Sequence, residues 1–331
     1  MLTRPVGLSD QTLGHVAADG WGLAVASIDY RPVGFGSYHW ELVDSRGTRW
    51  FLTVDDLASK QQAPNETSDA AFGRLRAALA TAADLRDAGC TFVVAPIPTS
   101  AGAALARVDG RFAVALYPYI EGESYLWGEF STQAHRRSVL DLVVALHSVP
   151  ATATPHALAD DFDIPFRDEL ASSLDHPAEE TGPYTQPTSA LVVENARRIR
   201  TLLARHDELV ALVDQGGTAP NRTVLTHGEP HPGNTMLSSD GWLLIDWDSA
   251  LRAPPERDLW SLDPGDGSIL RAYADATGTT PLTSALALYR IRWDLGEIAA
   301  YVTRFRQPHT GSQDDDKSWD ELRALVARLA G

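Results

Sequence analysis

The sequence predicts an α+β chain of two lobes, a small antiparallel sheet followed by a larger and mostly helical part. Three observations carry this. Short runs rich in Val, Ile, Tyr and Trp, separated by turn residues, crowd the chain before about residue 120. Beyond that point apolar residues recur at helical spacing in long segments. A Pro-, Gly- and His-rich stretch, "LTHGEPHPGNTML" (225–237), then interrupts the helical part between short apolar flanks.

Taken in order, "VASIDYRPVG", "SYHWELVDS" and "RWFLTVDD" read as three strands bounded by Gly and Asp-Ser-Arg-Gly turns. In "SDAAFGRLRAALATAADLRDAG", Phe72, Leu75, Leu79, Ala82 and Leu85 share one helical face, Ser68 caps the start and Gly89 stops the helix. "FVVAPIPT" and "RFAVALYPYI" read as two further strands. "LYPYIEGES" is the junction, with residues 1–118 as the first lobe and 119–331 as the second. "STQAHRRSVLDLVVALHSV" puts Val139, Leu142, Val143 and Leu146 on one helical face. Residues 151–190 read as an irregular connection with a short helix near 166–174, and "SALVVENARRIRTLLARHDELVALV" as one helix. "WLLIDWD" reads as a short buried strand. In "LALYRIRWDLGEIAAYVTRF", Leu288, Ile291, Leu295, Ile298, Val302 and Phe305 recur by threes and fours, and "SQDDDKSWDE" reads as a solvated loop before a last helix. No repeat or low-complexity tract is visible.

The 331 residues are 44% hydrophobic, enough to fill a core, which excludes disorder over most of the length. A single cysteine, Cys90, excludes an intrachain disulfide and a four-cysteine zinc site and fits a reducing compartment. No apolar run has the length of a membrane span, and "MLTRPVGLSDQTLG" has no secretory apolar core, so the expectation is a cytoplasmic protein. The net charge of −16 argues against a nucleic-acid partner and fits a small cationic ligand, or simply solubility. Only two lysines occur, Lys60 and Lys317.

The stretch 225–237 admits three chemistries. Pro230, Pro232, Gly228 and Gly233 impose a loop. His227, Glu229 and His231 alternate at a spacing open to metal ligation, but the zinc deaminase pattern needs a later Cys-x-x-Cys and the zincin pattern needs a helix. A turn with satisfied histidines is the second reading. In the third, an acid, four residues and an asparagine match the spacing of a kinase catalytic loop, with Glu229 handling the attacking hydroxyl and Asn234 binding magnesium. Asp246, after the apolar run of "LLIDWD", is then the second metal-binding acid.

At these residues the chain resembles the aminoglycoside phosphotransferase family, small-molecule kinases of protein-kinase-like fold. "HGEPHPGN" followed by "LIDWDSALRAPPERDLW" carries the resemblance, specific from Leu225 to Leu262 and supported by lobe order elsewhere. It implies Glu229 as the catalytic acid, Asn234 and Asp246 as magnesium ligands, Asp258 as a brace of the catalytic loop and His227 as a structural member of the motif. "VALYPYIEG", with Tyr117 and Tyr119, would be the hinge that meets the base of ATP or GTP.

Three departures stand out. Glu229 occupies a position where the family usually has aspartate. The third strand carries Thr53 where a phosphate-binding lysine is usual, and the following helix shows no matching glutamate. The phosphates must then be held otherwise, by the turn at Gly34, Gly36 and Ser37, or by His39, Arg49 or Lys60. Lys60 lies seven positions beyond Thr53 and reads as a surface residue, whose loss should matter little. The expected activity is transfer of a γ-phosphoryl group to a hydroxyl of a small cationic antibiotic of aminoglycoside, aminocyclitol or tuberactinomycin type. Asp263, Asp266, Asp294 and Glu297 are the candidates to meet its ammonium groups. An Arg290–Asp294 surface pair competes with that role for Asp294. A kinase of a metabolite such as choline, homoserine or a thiosugar, and a nucleotide-binding pseudokinase, are the rival functions.

Overall fold

Alternation decides the first sheet. In β2 (Tyr38–Asp44) and β3 (Arg49–Asp56), Trp40, Leu42, Leu52 and Val54 point to one face and are fully buried. β1 (Val25–Arg31), β4 (Ala106–Val108) and β5 (Phe112–Pro118) complete an antiparallel sheet of order β1-β2-β3-β5-β4. The chain is described by a computed structural model that covers residues 1–215 and 222–329. The last two residues of the expected second lobe therefore lie outside the described residues.

The buried face of the sheet is covered by α1 (Asp10–Trp21), a helix that composition did not announce. Its stripe is Leu13 and Ala17, fully buried, with Val16 and Trp21 partly buried beside them; Ser9 caps it through the Thr12 N–H and Gly22 closes it at φ 69°. The opposite face, through Ala113 and Ala115, packs on α2 (Ser68–Asp87), capped by Thr67 rather than Ser68. That core runs on without a break into the helical part through Val139, Leu140 and Val143 of α3 (Gln133–His147), so the sequence boundary at residue 118 is crossed by one continuous apolar cluster.

Between the sheet and the helices lies a small antiparallel sheet, β6-β8-β9, of Gly122–Ser124, Thr235–Ser238 and Gly241–Leu244. β7 (Val224–Thr226) pairs with β10 (Leu251–Ala253). The short helix α4 (Arg167–Ser173), α5 (Thr185–Glu194) and α6 (Ala196–Gln215) follow α3. After β10 come α7 (Glu256–Leu262), α8 (Ser268–Thr277), α9 (Thr283–Phe305) and α10 (Gln313–Arg328). A second core joins α4, α5, α6, α9 and α10 through Leu170, Ile199, Leu295, Ile298 and Phe305.

Four expectations are corrected. "FVVAPIPT" is not a strand: Pro96 and Pro98 lack the N–H a ladder needs, and the segment makes one bridge, Val93 to Leu244, and an Ile97 N–H bond to Leu116 O. The single helix expected over 189–213 is broken at Asn195, whose side-chain amide donates to Leu191 O, and its first half starts earlier, inside the expected irregular connection. Pro187 fits there because first-turn N–H groups have no helical partner. Ile245 and Asp246 have already left the strand expected of "WLLIDWD". The aspartates of "SQDDDKSWDE" open α10: Ser312 and Asp315 form a reciprocal capping box, and buried Asp314 accepts the N–H groups of Leu2 and Thr3.

Candidate active site

The loop that follows β7 is held from beneath by one carboxylate. Asp258 Oδ2 accepts the His227 N–H at 2.9 Å and Oδ1 accepts the Gly228 N–H at 2.6 Å. His147 Nε2 donates to Oδ2 at 3.0 Å while its Nδ1 meets the Tyr273 hydroxyl at 2.9 Å. Burial alone would raise the Asp258 carboxyl, but the hydrogen bond and charge of His147, with His227 and Arg257, hold it below the usual range. Gly228 sits at φ 101°, and a Cβ there would fall 2.6 Å from the Arg257 guanidinium, so backbone and space both demand glycine. The His227 ring is fully buried, and its Nε2 donates to Ile245 O at 2.9 Å, which ties this loop to the approach to Asp246. His227 and His231 therefore face different partners rather than one shared metal centre.

Glu229 stands above this brace with its carboxylate Oε2 3.5 Å from His231 Nε2. The Asn234 side-chain N–H donates to Glu229 O at 3.0 Å, which leaves its Oδ1 as a hard donor. Asn234 O accepts the Ile245 N–H at 3.0 Å, so Asn234 and Asp246 are neighbours across the turn. Asp246 adopts φ 64°, a left-handed conformation uncommon for a residue other than glycine. Although its surface reaches water at the cleft mouth, the surrounding walls push its pKa well above the carboxylate range. Asp248 adds to that rise, as do Glu229 and Asp55, while Lys60 opposes it. So acidic a cluster suits a divalent cation. Among the described residues no three His, Cys, Asp or Glu side chains form a closed metal centre. The Asn234–Asp246 pair instead suits a hard ion that keeps water or phosphate oxygens as its other ligands.

On the side of the first sheet, Gly34 and Gly36 turn at φ 70° and 92°, and a Cβ on Gly34 would press on His39 Nε2 at 3.1 Å. Ser37 Oγ donates to Asp55 Oδ1 at 2.5 Å. His39 stacks on Phe51 and contacts Thr53 Oγ1 at 3.4 Å; burial lowers its pKa to about 3, so it is not a cation. Arg49 is held by Glu41 and Glu121 and covers the Tyr119 ring at 3.6 Å, which ties it to the hinge end of the sheet. Tyr117, next to last in β5, lies beside the acidic cluster, and burial raises its pKa. Lys60 is not the surface residue the sequence suggested. Its Nζ lies 3.0 Å from Asp55 and 2.7 Å from Asp248.

On the other side of Glu229, the four acidic candidates divide. Glu297 sits on α9, one turn after Asp294. Burial first, and the Glu229 charge next, push its carboxyl up to about 7. Asp294, one turn earlier, meets Arg328 of α10 at 3.5 Å, so its ion partner is not the expected Arg290. Asp266 accepts the Ser268 N–H at 2.8 Å at the start of α8, and Asp263 ends α7 with Oδ1 buried and unbonded. Neither is brought to Glu229 by any contact among the described residues. Sequence reasoning missed three tryptophans here. Trp127 stacks on Trp293 at 5.9 Å, Trp260 leans on Trp293 at 5.6 Å, and Trp127 meets the His231 ring at 6.4 Å. They come from three separate segments with no shared spacing, so no pattern in the sequence marked them.

The model of the phosphotransferase enzyme family (APH) matches residues 29–301, most of the chain and every cleft residue from Gly34 to Glu297. The chain belongs to that family. This phosphotransferase is also 31% identical to protein StrN of Streptomyces griseus over 260 residues, 75% of each chain. Its fold is that of spectinomycin phosphotransferase APH(9)-Ia, solved with ADP and spectinomycin, at a TM-score of 0.69 and 17% identity over 98% of both chains. A choline kinase from Streptococcus pneumoniae shares the fold at a TM-score of 0.58 and 14% identity, over 96% of this chain and 99% of that one. The phosphotransferase has no helix among its described residues long and apolar enough to cross a membrane.

Proposed function

We propose that the phosphotransferase moves the γ-phosphoryl group of ATP or GTP, with magnesium, to a hydroxyl of a small cationic antibiotic. The observation that carries this is the loop itself: Asp258 braces it from beneath, and Glu229, Asn234 and the approach to Asp246 are joined by hydrogen bonds. Glu229 accepts the hydrogen bond of the acceptor hydroxyl and takes its proton as the oxygen–phosphorus bond forms and the bond to the leaving diphosphate breaks. Bound magnesium would neutralise phosphate charge, held by Asn234 and Asp246. Glu297 ionises fully when an ammonium group of the acceptor replaces the water lost by burial. The Trp127–Trp293 wall receives the apolar face of a ring.

The names of the relatives favour an antibiotic: spectinomycin for one solved structure and amicoumacin, bound with AMP-PNP and calcium, for another of TM-score 0.59. The tryptophan wall also fits a quaternary ammonium metabolite, through cation–π attraction. Cys90 is half-buried and unpaired, in keeping with a reducing cytoplasm as the place of action. The test is turnover by purified protein with ATP or GTP and magnesium against a panel of aminoglycosides, aminocyclitols, tuberactinomycins and choline. Phosphorylation of a cationic antibiotic, matched by protection of a susceptible bacterium, is the expected result. Turnover of an uncharged alcohol alone would overturn it.

A further inference from the structure

We infer that Lys60 is the cation that holds the nucleotide phosphates, delivered from the turn after β3 and aimed by Asp55 from the strand itself. The inference rests on the proposed nucleotide chemistry and assigns it to a residue that no motif marks. Strand β3 places Thr53 and Asp55 on the face opposite to buried Leu52 and Val54, so both look into the cleft. Thr53 offers a hydroxyl and no charge. Asp55 is buried at 4% exposure and holds two donors, Ser37 Oγ from the glycine turn and Lys60 Nζ. A lysine–acid pair is therefore present with its polarity exchanged: the strand supplies the acid and the following turn supplies the lysine.

Elimination points the same way. The arginines nearest the sheet are engaged elsewhere: Arg31 and Arg49 on Glu41, Arg111 on Asp56, Arg107 on Asp69 and Arg74 on Glu66. His39 is neutral. Lys60 alone of these cations touches the acidic cluster, at Asp248, two residues from Asp246. Its side chain keeps about a fifth of its surface open. A flexible four-carbon stem with three rotatable donors can leave Asp248 for a phosphate oxygen while Asp55 keeps hold of it. The same contact links the glycine turn to the phosphates through Ser37, Asp55 and Lys60 in series.

Calorimetry separates this role from a structural one. AMP-PNP and GMP-PNP are titrated with magnesium into wild type, Lys60→Met, Lys60→Arg and Asp55→Asn. Adenosine and guanosine, which lack phosphates, are titrated in parallel by NMR. Lys60→Met removes a charge-assisted hydrogen bond to phosphate, so it should weaken the preferred triphosphate analogue by about 30-fold or more. It should leave the nucleoside affinity within about twofold. Lys60→Arg should recover part of the loss. Asp55→Asn should show a smaller loss with the same selectivity for the triphosphate. Equal analogue affinity in wild type and Lys60→Met overturns the assignment, as does a parallel loss of nucleoside binding. Wild type that binds an analogue but phosphorylates no acceptor would sink the proposed acceptor and leave Lys60 standing. Wild type that binds neither analogue would sink both.

Discussion

The loop from Leu225 to Asp258 and the segment from Gly34 to Lys60 line the same cleft but are built in opposite ways. In the first, the acid, the asparagine and the histidines come from one short loop, and one buried carboxylate, Asp258, reaches back about thirty residues to satisfy two consecutive backbone N–H groups. In the second, the polar groups come from a turn, a strand and a further turn, and their partner Asp248 lies 188 positions away from Lys60. The first is held from beneath by the buried Asp258 and His147. The second is assembled by sheet packing and stays partly open. Damage to the Asp258 brace should therefore cost both stability and turnover, and damage to the second region mainly nucleotide affinity.

Four substitutions test that division. Glu229→Gln should lower kcat by about 100-fold or more, since the amide neither accepts the proton nor carries its charge, with an unchanged melting temperature. Near wild-type kcat would remove Glu229 from the reaction. Asp258→Ala strips the brace and leaves His147 buried beside two unpaired N–H groups. A loss of about 3 kcal/mol in denaturant unfolding is expected, together with falling kcat. Intact stability would show the loop does not depend on its brace.

Gly34→Ala forces a side chain into a left-handed turn against His39, and should cost about 1–2 kcal/mol locally. It should raise KM for nucleotide several-fold more than KM for acceptor; an equal rise in both would erase the contrast between the two regions. Glu297→Gln is the mildest. A carboxyl raised to about 7 in the folded chain stays protonated where the unfolded chain has ionised. Its contribution is whole below its ordinary value of 4.5 and is lost as pH climbs through about 7. The glutamine variant should match wild type at pH 4 and exceed it at pH 8 by about 1 kcal/mol, discounted for the water that reaches the cleft. Its KM for a cationic acceptor should rise at pH 8. A flat stability difference across this range would contradict the burial of Glu297.

The sequence by itself determined the lobe order, the strands β1, β2, β3 and β5, the amphipathic helices α2, α3 and α9, and the loop with its acid, asparagine and following aspartate. These are features of short range. Side-chain period, turn residues and caps act within a few positions, so their pattern survives in the chain. It missed α1, whose short stripe of Leu13, Val16, Ala17 and Trp21 is interrupted by Gly14 and Gly20 and which gains its stability by covering the sheet face around Trp40 and Leu42. It also mistook Asp314 for a solvated residue, because its partners, the N–H groups of Leu2 and Thr3, lie at the far end of the chain. Only the tertiary structure decided that Lys60 turns inward and that Trp127, Trp260 and Trp293 meet. Each of these depends on where separate elements are packed. A charged or aromatic side chain has no local signature that tells a surface from a cleft; the field and the walls around it come from residues distant in sequence.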